Sequence, residues 1–254
     1  LSLEKDNFVG VSCGSRHTVA VTSSGKIYSV GSNKHGALGR DEIQSPSASS
    51  SSIDNSEVMI TGKGKVNATN IHIKWSKVST GWAHNVVKGV RSDGELCFYG
   101  WGRCDLGQFV HVDTNNNDDN GDVNMNSSEG CYFDDAGNVL KPLELAPPPC
   151  HSHERSWVEV WCGPEHTLGC DNEGCLWSTG WDAHGVLGQG EKNEDEGDTE
   201  ANKNSSNLQS KSKPKPRWGA VIGSDGRQIC LPLTEGIPNT GDVACGGGHC
   251  LCFV

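Results

Sequence analysis

Apolar and polar residues alternate along this chain in short runs. None has the length or period of a helix. In residues 18–22, Val19 and Val21 alternate with Thr18, Ala20 and Thr22, the period of two of a strand with unlike faces. Further strand-like runs cover residues 85–91 and 167–170. Each is followed by a turn signal: Ser23-Ser24-Gly25, Ser92-Asp93-Gly94 or Asn172-Glu173-Gly174. A second run then covers 26–30, 95–99 or 175–179. Two runs joined by a short loop ending in Gly predict a β-hairpin, the Gly supplying the left-handed backbone position. The expectation is an all-β chain of repeated hairpins.

A short phrase precedes each hairpin. It reads Cys13-Gly14-Ser15-Arg16-His17, Thr80-Gly81-Trp82-Ala83-His84, Cys162-Gly163-Pro164-Glu165-His166 and Cys245-Gly246-Gly247-Gly248-His249. Three copies continue into a second, Gly-rich phrase at 31–39, 100–107 and 180–188. The anchor glycines are 67, 82 and 83 residues apart, whereas a four-stranded propeller blade needs roughly 40–50. The excess lies in three biased segments, Ser-rich, Asn/Asp-rich, and acidic then Lys/Pro-rich. They are expected to be disordered insertions in blade loops, at about 45–70, 113–138 and 190–216. The remainder reads as one domain over 1–254, with repeats anchored near 9–44, 76–112, 158–189 and 242–254.

The order Cys-Gly-x-x-His, hairpin, Gly-x-Asn-x-x-Gly-x-Leu-Gly resembles the repeat of the regulator of chromosome condensation family. The resemblance covers three full repeats and the opening of a fourth. Around Gly180-Trp181-Asp182 and 245–252 the wording is most similar to the secretion-regulating exchange-factor and fungal α-tubulin-suppressor branch. The family forms seven-bladed β-propellers. The resemblance therefore implies a partial propeller of about three and a half blades, with an N-terminal stretch missing or, alternatively, a dimer that closes the ring. Departures are Thr80 in place of Cys, the shortened Arg103-Cys104-Asp105 segment, and residues 218–233, which fit the pattern poorly. For function, the resemblance implies a protein-binding propeller that acts as a guanine nucleotide exchange factor on a small GTPase. Such a factor does no covalent chemistry and works by differential affinity for the nucleotide-free form. The alternative is an interaction scaffold without exchange activity, for example in ubiquitin-linked or cytoskeletal regulation.

The chemistry-bearing residues narrow this further. His17, His84, His166 and His249 each stand beside a Gly at one repeat position, which makes them structural, together with Gly14, Gly81, Gly163 and Gly246. His35, Asp105 and His184 lie in the loops after the hairpins, where binding residues concentrate on a rigid scaffold, and are the candidate partner-binding residues. No catalytic constellation emerges. Twelve cysteines contain no Cys-x-x-Cys pair. Cys250-x-Cys252 and Cys150-His-Ser-His153 are the only close clusters, so neither a metal nor another cofactor is expected. Reduced thiols fit an intracellular protein, cytoplasmic or nuclear. The segment from Asn116 lacks the carboxylates of a calcium loop, and 211–217 reads as a solvated linker. A net charge of −11 disfavours nucleic acid, and no apolar run reaches membrane-spanning length. A protein partner is expected, with no small-molecule substrate.

Overall fold

The computed structural model describes residues 7–39, 73–109, 134, 136–149, 155–182, 185–190, 218–235, 237–238, 243–246 and 249–252. The insertion at 45–70, that at 190–216 beyond Gly190, most of that at 113–138, Cys150-His-Ser-His153, His184, the loop from Asn116 and the basic run 211–217 lie outside the described residues.

Each hairpin forms within three residues of its predicted ends, and each gains a preceding strand that the sequence pattern did not reveal. The first sheet is β1 (Phe8–Cys13), β2 (His17–Thr22) and β3 (Ile27–Gly31). The second is β4 (Lys74–Thr80), β5 (His84–Val90), β6 (Leu96–Gly102) and β7 (Val139–Glu144). The third is β8 (Trp157–Cys162), β9 (His166–Asp171), β10 (Leu176–Gly180) and β11 (Gly219–Ala220). Two small hairpins follow, β12 (Leu233–Thr234) with β13 (Ile237–Pro238), and β14 (Val243–Cys245) with β15 (Cys250–Cys252). All pairings are antiparallel. A 3-10 turn follows the first hairpin at Lys34–Gly36. These sheets are successive blades of a partial β-propeller.

The first strands of consecutive blades face one another: β1 touches β4, β4 touches β8, and β8 touches β14. They form the inner wall of the arc. A bulge interrupts the register of β1, β4 and β8 against their partners, which breaks the alternation that would mark them in sequence. The outer strand β11 has only two residues, too few for any period to show. It nonetheless places Trp218, from the poorly fitting stretch, on Trp157 with ring centroids 4.6 Å apart.

Register corrects one alignment. His17 pairs with Gly31, His166 with Gly180, and His84 with Gly102 rather than Gly100. The second blade's loop is therefore three residues shorter than the others. At Gly31, Gly102 and Gly180 the φ angles are 117°, 102° and 115°, and a Cβ would strike the carbonyl of Arg16, Ala83 or Glu165. Only Gly fits such a position. Gly100 instead aligns with Ser29 and Ser178, which donate to the Leu38 and Leu187 carbonyls at 2.8 and 2.6 Å. A Cβ at Gly100 would meet the Phe109 ring, which fills that space.

One apolar core runs across all three blades, from Val19, Val21 and Ile27 through Trp75, Val87 and Trp101 to Trp157 and Trp218. A second cluster, with Trp161, Leu168, Leu176 and Leu231, ties the third blade to Val243 of β14. Residues 136–138, assigned from sequence to an insertion, turn around Asp134 instead. Its carboxylate accepts the Ala136 and Asn138 amides at 3.0 and 2.8 Å. Asn138 is thereby buried at the entry to β7.

Candidate functional site

The Gly-x-x-His turns and the loops after the hairpins lie on one face of the arc. Within each blade they are locked by one backbone bond: Ser32 N–H to Arg16 O at 2.8 Å, Arg103 to Ala83 at 2.9 Å, and Trp181 to Glu165 at 2.9 Å. Between blades, Ser15 N–H donates to Trp82 O at 3.1 Å and Trp82 N–H to Pro164 O at 2.8 Å. The variable residues between Gly and His are thus carried on a continuous, hydrogen-bonded rim.

Behind this rim stand the repeated histidines. A Cβ on Gly14, Gly81 or Gly163 would fall on the imidazole of His17, His84 or His166, so each Gly is what lets its His fold under the turn. Each ring then reaches the next blade, to the residue just after that blade's own anchor His. His17 Nε2 meets Asn85 Oδ1 at 2.6 Å, His84 Nε2 meets Thr167 Oγ1 at 3.1 Å, and His166 Nε2 meets Cys250 Sγ at 3.1 Å. Burial, reinforced by the nearby His166 and His17, lowers the His84 pKa to about 3. Burial lowers that of His17 against the opposing bond to Asn85. Shielded from solvent, these three rings join blades and do not form an exposed surface.

In front, a cavity of about 370 Å³ opens between the first two blades. Its lining brings together Arg16, Lys34 and His35 from the first blade with Trp82 and Arg103 from the second. Trp82 is 53% exposed, although its main chain is fixed on both sides. His35 occupies a left-handed turn at φ 62°. Its pKa is lowered by desolvation and then by the charges of Lys34 and Arg103, against the opposing charges of Asp105 and Asp134.

Asp105 approaches His35 but is already engaged. Arg103 Nε donates to Asp105 Oδ1 at 2.8 Å, and Arg103 also pairs with Glu165 of the third blade. Burial alone would raise the Asp105 carboxyl, but hydrogen bonds from Arg103 and Gln108 outweigh it and hold the group below its ordinary value. Because three residues are missing here, Asp105 takes the position of Ala37 and Val186 rather than that of His35. Arg16, Lys34 and Trp82 were not singled out from sequence. Two of them fill the variable slots of the anchor phrase, where residue type carries no repeat signal. A Trp in a variable slot between Gly81 and His84 was the one clue.

A second hollow of about 370 Å³ lies where the four turns converge on the inner wall. It is lined by Cys13, Thr80, Cys162 and Cys245 with their following glycines. The family model described as the regulator of chromosome condensation (RCC1) repeat matches residues 8–37, which is β1 through the 3-10 turn. Residues 8–37 therefore carry a repeat of the regulator of chromosome condensation type. Two relatives are similar over most of the chain. The ultraviolet-B receptor UVR8 of Arabidopsis thaliana is 29% identical over 181 residues, 71% of this chain and 31% of that protein. The secretion-regulating guanine nucleotide exchange factor of Mus musculus is 28% identical over 189 residues, 74% of this chain and 34% of that protein. The chain spans about a third of the length of these relatives. Among solved structures, Prp20p of Saccharomyces cerevisiae, described with its binding properties to Gsp1p and histones, matches with TM-score 0.50 at 18% identity. That match covers 94% of this chain and 42% of Prp20p, and it speaks to fold alone. No helix among the described residues is long and apolar enough to cross a membrane.

Proposed function

We propose that this chain forms part of a protein-binding propeller that regulates a small GTPase in the manner of a guanine nucleotide exchange factor. The observation that carries this reading is the rim hollow, where Arg16, Lys34 and Arg103 surround a fixed, exposed Trp82. Such a surface suits a protein partner that presents carboxylates beside an apolar contact. Exposed aromatic and Arg residues on a rigid frame are the usual energetic anchors of an interface. Similarity to an exchange factor supports this reading of the activity. Exchange needs no bond-making group, only tighter binding of the nucleotide-free partner than of the nucleotide-bound one. His35 belongs to the same contact, with Asp105 holding Arg103 in place; His184 is proposed for the corresponding loop of the third blade.

The test is release of labelled guanine nucleotide from a panel of small GTPases in the presence of the full-length protein. Stimulation is expected with one member, and it should fall at least tenfold in Trp82→Ala and Arg16→Glu. No stimulation across the panel, with a pulled-down partner still retained, would reject exchange. That result would favour the second reading, a docking propeller without exchange activity. The equal similarity to an ultraviolet-B receptor favours this second reading, because it places a different activity on the same repeats.

A further inference from the structure

The junction between the third blade and the β14–β15 hairpin differs from the other two in its chemistry. Elsewhere the residue that receives the anchor His is an oxygen acceptor, Asn85 or Thr167. Here it is the Cys250 sulfur. The partner of each receiving residue across its hairpin is the first residue of the anchor phrase. Those pairs are Thr80 with Asn85, Cys162 with Thr167, and Cys245 with Cys250. Only the last pair has sulfur on both strands. The two Sγ atoms are 2.8 Å apart, and His166 Nε2 lies 3.1 Å from Cys250 Sγ. All three ligand atoms fall within 4.8 Å of one another.

We propose that His166, Cys245 and Cys250 form a site for a thiophilic divalent cation of the zinc class, bridging the third blade to the β14–β15 hairpin. Two sulfurs and one imidazole are the donors such an ion prefers, and three protein ligands are enough to hold it with one position open. The ring is preset for the task, since Gly163 clamps it from behind. The thiols are placed as well: the two sulfurs face each other across the β14–β15 hairpin, beside the His166 ring. Metal entry displaces the thiol protons: one divalent cation binds two thiolates and a neutral imidazole, and two protons leave to solvent. Cys162 is no ligand. Its sulfur is committed to Ser79 O at 3.4 Å, and burial pushes its pKa up to about 12. Cys245 and Gly246 also line the inner hollow, which lies beside the proposed site.

The sequence expectation of no metal rested on the lack of Cys-x-x-Cys spacing. That criterion cannot detect this set, because one ligand comes from the preceding repeat. The Cys250-x-Cys252 pair plays no part in the proposal, and the Cys252 side chain lies outside the described residues.

The repeat itself supplies conservative test variants. Cys245→Thr and Cys250→Thr install residues that already stand at the equivalent positions 80 and 167. The reduced, chelator-treated chain is titrated with Co²⁺ as a spectroscopic probe and then with Zn²⁺. One equivalent of Co²⁺ should give intense tetrahedral d–d bands with thiolate charge transfer, and Zn²⁺ should displace it. Either Thr variant should abolish the bands while leaving the thermal midpoint of the metal-free chain within a few degrees. Cys230→Ser should leave the bands unchanged. Absence of the bands, their persistence in Cys250→Thr, or a Cys245–Cys250 disulfide that survives thiol reductant would each overturn the proposal.

Discussion

His17 and Asn85 meet at 2.6 Å across the first blade boundary, and both are buried. Asn85 also donates to Ala37 O at 2.9 Å, so one side chain holds the ring and the loop of the preceding blade together. Replacing it with Ala strands a buried imidazole nitrogen and leaves the Ala37 carbonyl with only the Trp101 indole as donor. Asn85→Ala should cost about 1–3 kcal/mol, seen as a lower urea midpoint with unchanged slope. An unaltered midpoint would mean the contact contributes nothing.

Acid should loosen the same junctions before it protonates most carboxylates. His84 titrates near 6.5 in the unfolded chain and near 3 in the fold. Between those values the unfolded chain takes up the additional proton, so stability is complete above about pH 6.5 and declines as pH falls toward 3. His17 is shifted in the same direction. The urea midpoint should therefore drop between pH 7 and pH 5, and His84→Gln should flatten that slope. Equal slopes in the two proteins would remove His84 as the cause.

Asp171 is fully buried yet completely engaged. Its carboxylate accepts from Arg155 at 2.6 Å, from Trp177 Nε1 at 2.9 Å, and from the amides of Glu173 and Cys175 at 3.0 and 2.9 Å. Asp171→Ala would leave a guanidinium without its buried partner and a tight turn without its cap. A loss of about 3–5 kcal/mol is expected, read as a fall in thermal midpoint. A loss below 1 kcal/mol would show that Arg155 finds another acceptor.

Two glycines separate steric need from backbone need. At Gly81 a Cβ would collide with the His84 ring and the Gly163 carbonyl. At Gly94 nothing lies within 4 Å, and only a φ of 90° opposes a side chain. Gly94→Ala should cost about 1–2 kcal/mol, the usual penalty of a left-handed L-residue. Gly81→Ala should cost clearly more and release His84 from Thr167, which the ring proton resonance would report. Equal costs would contradict the clamp between Gly81 and His84.

The hairpins were legible because each carries a local code: alternation, a Gly-ended turn and an invariant anchor. The inner strands were not, since bulges disturb the alternation in β1, β4 and β8. Nor was β11, where Gly219–Ala220 has no side-chain pattern to read. The candidate face was half legible. His35 was singled out because it lies in a loop after a hairpin, whereas Arg16 and Trp82 sit in slots where every copy differs. The sulfur and imidazole cluster was illegible in principle, because Cys250 and His166 belong to different repeats and only blade packing brings them together.

The imidazole contacts all point the same way, each from a blade to the one that follows it in the chain. The arc therefore has a direction. Damage to an anchor His leaves its own hairpin intact and frees the receiving strand downstream. Hydrogen exchange in a His84 variant should consequently quicken in β9 more than in β5. Blades that look interchangeable by sequence are links with a front and a back, and their order along the chain is part of the structure.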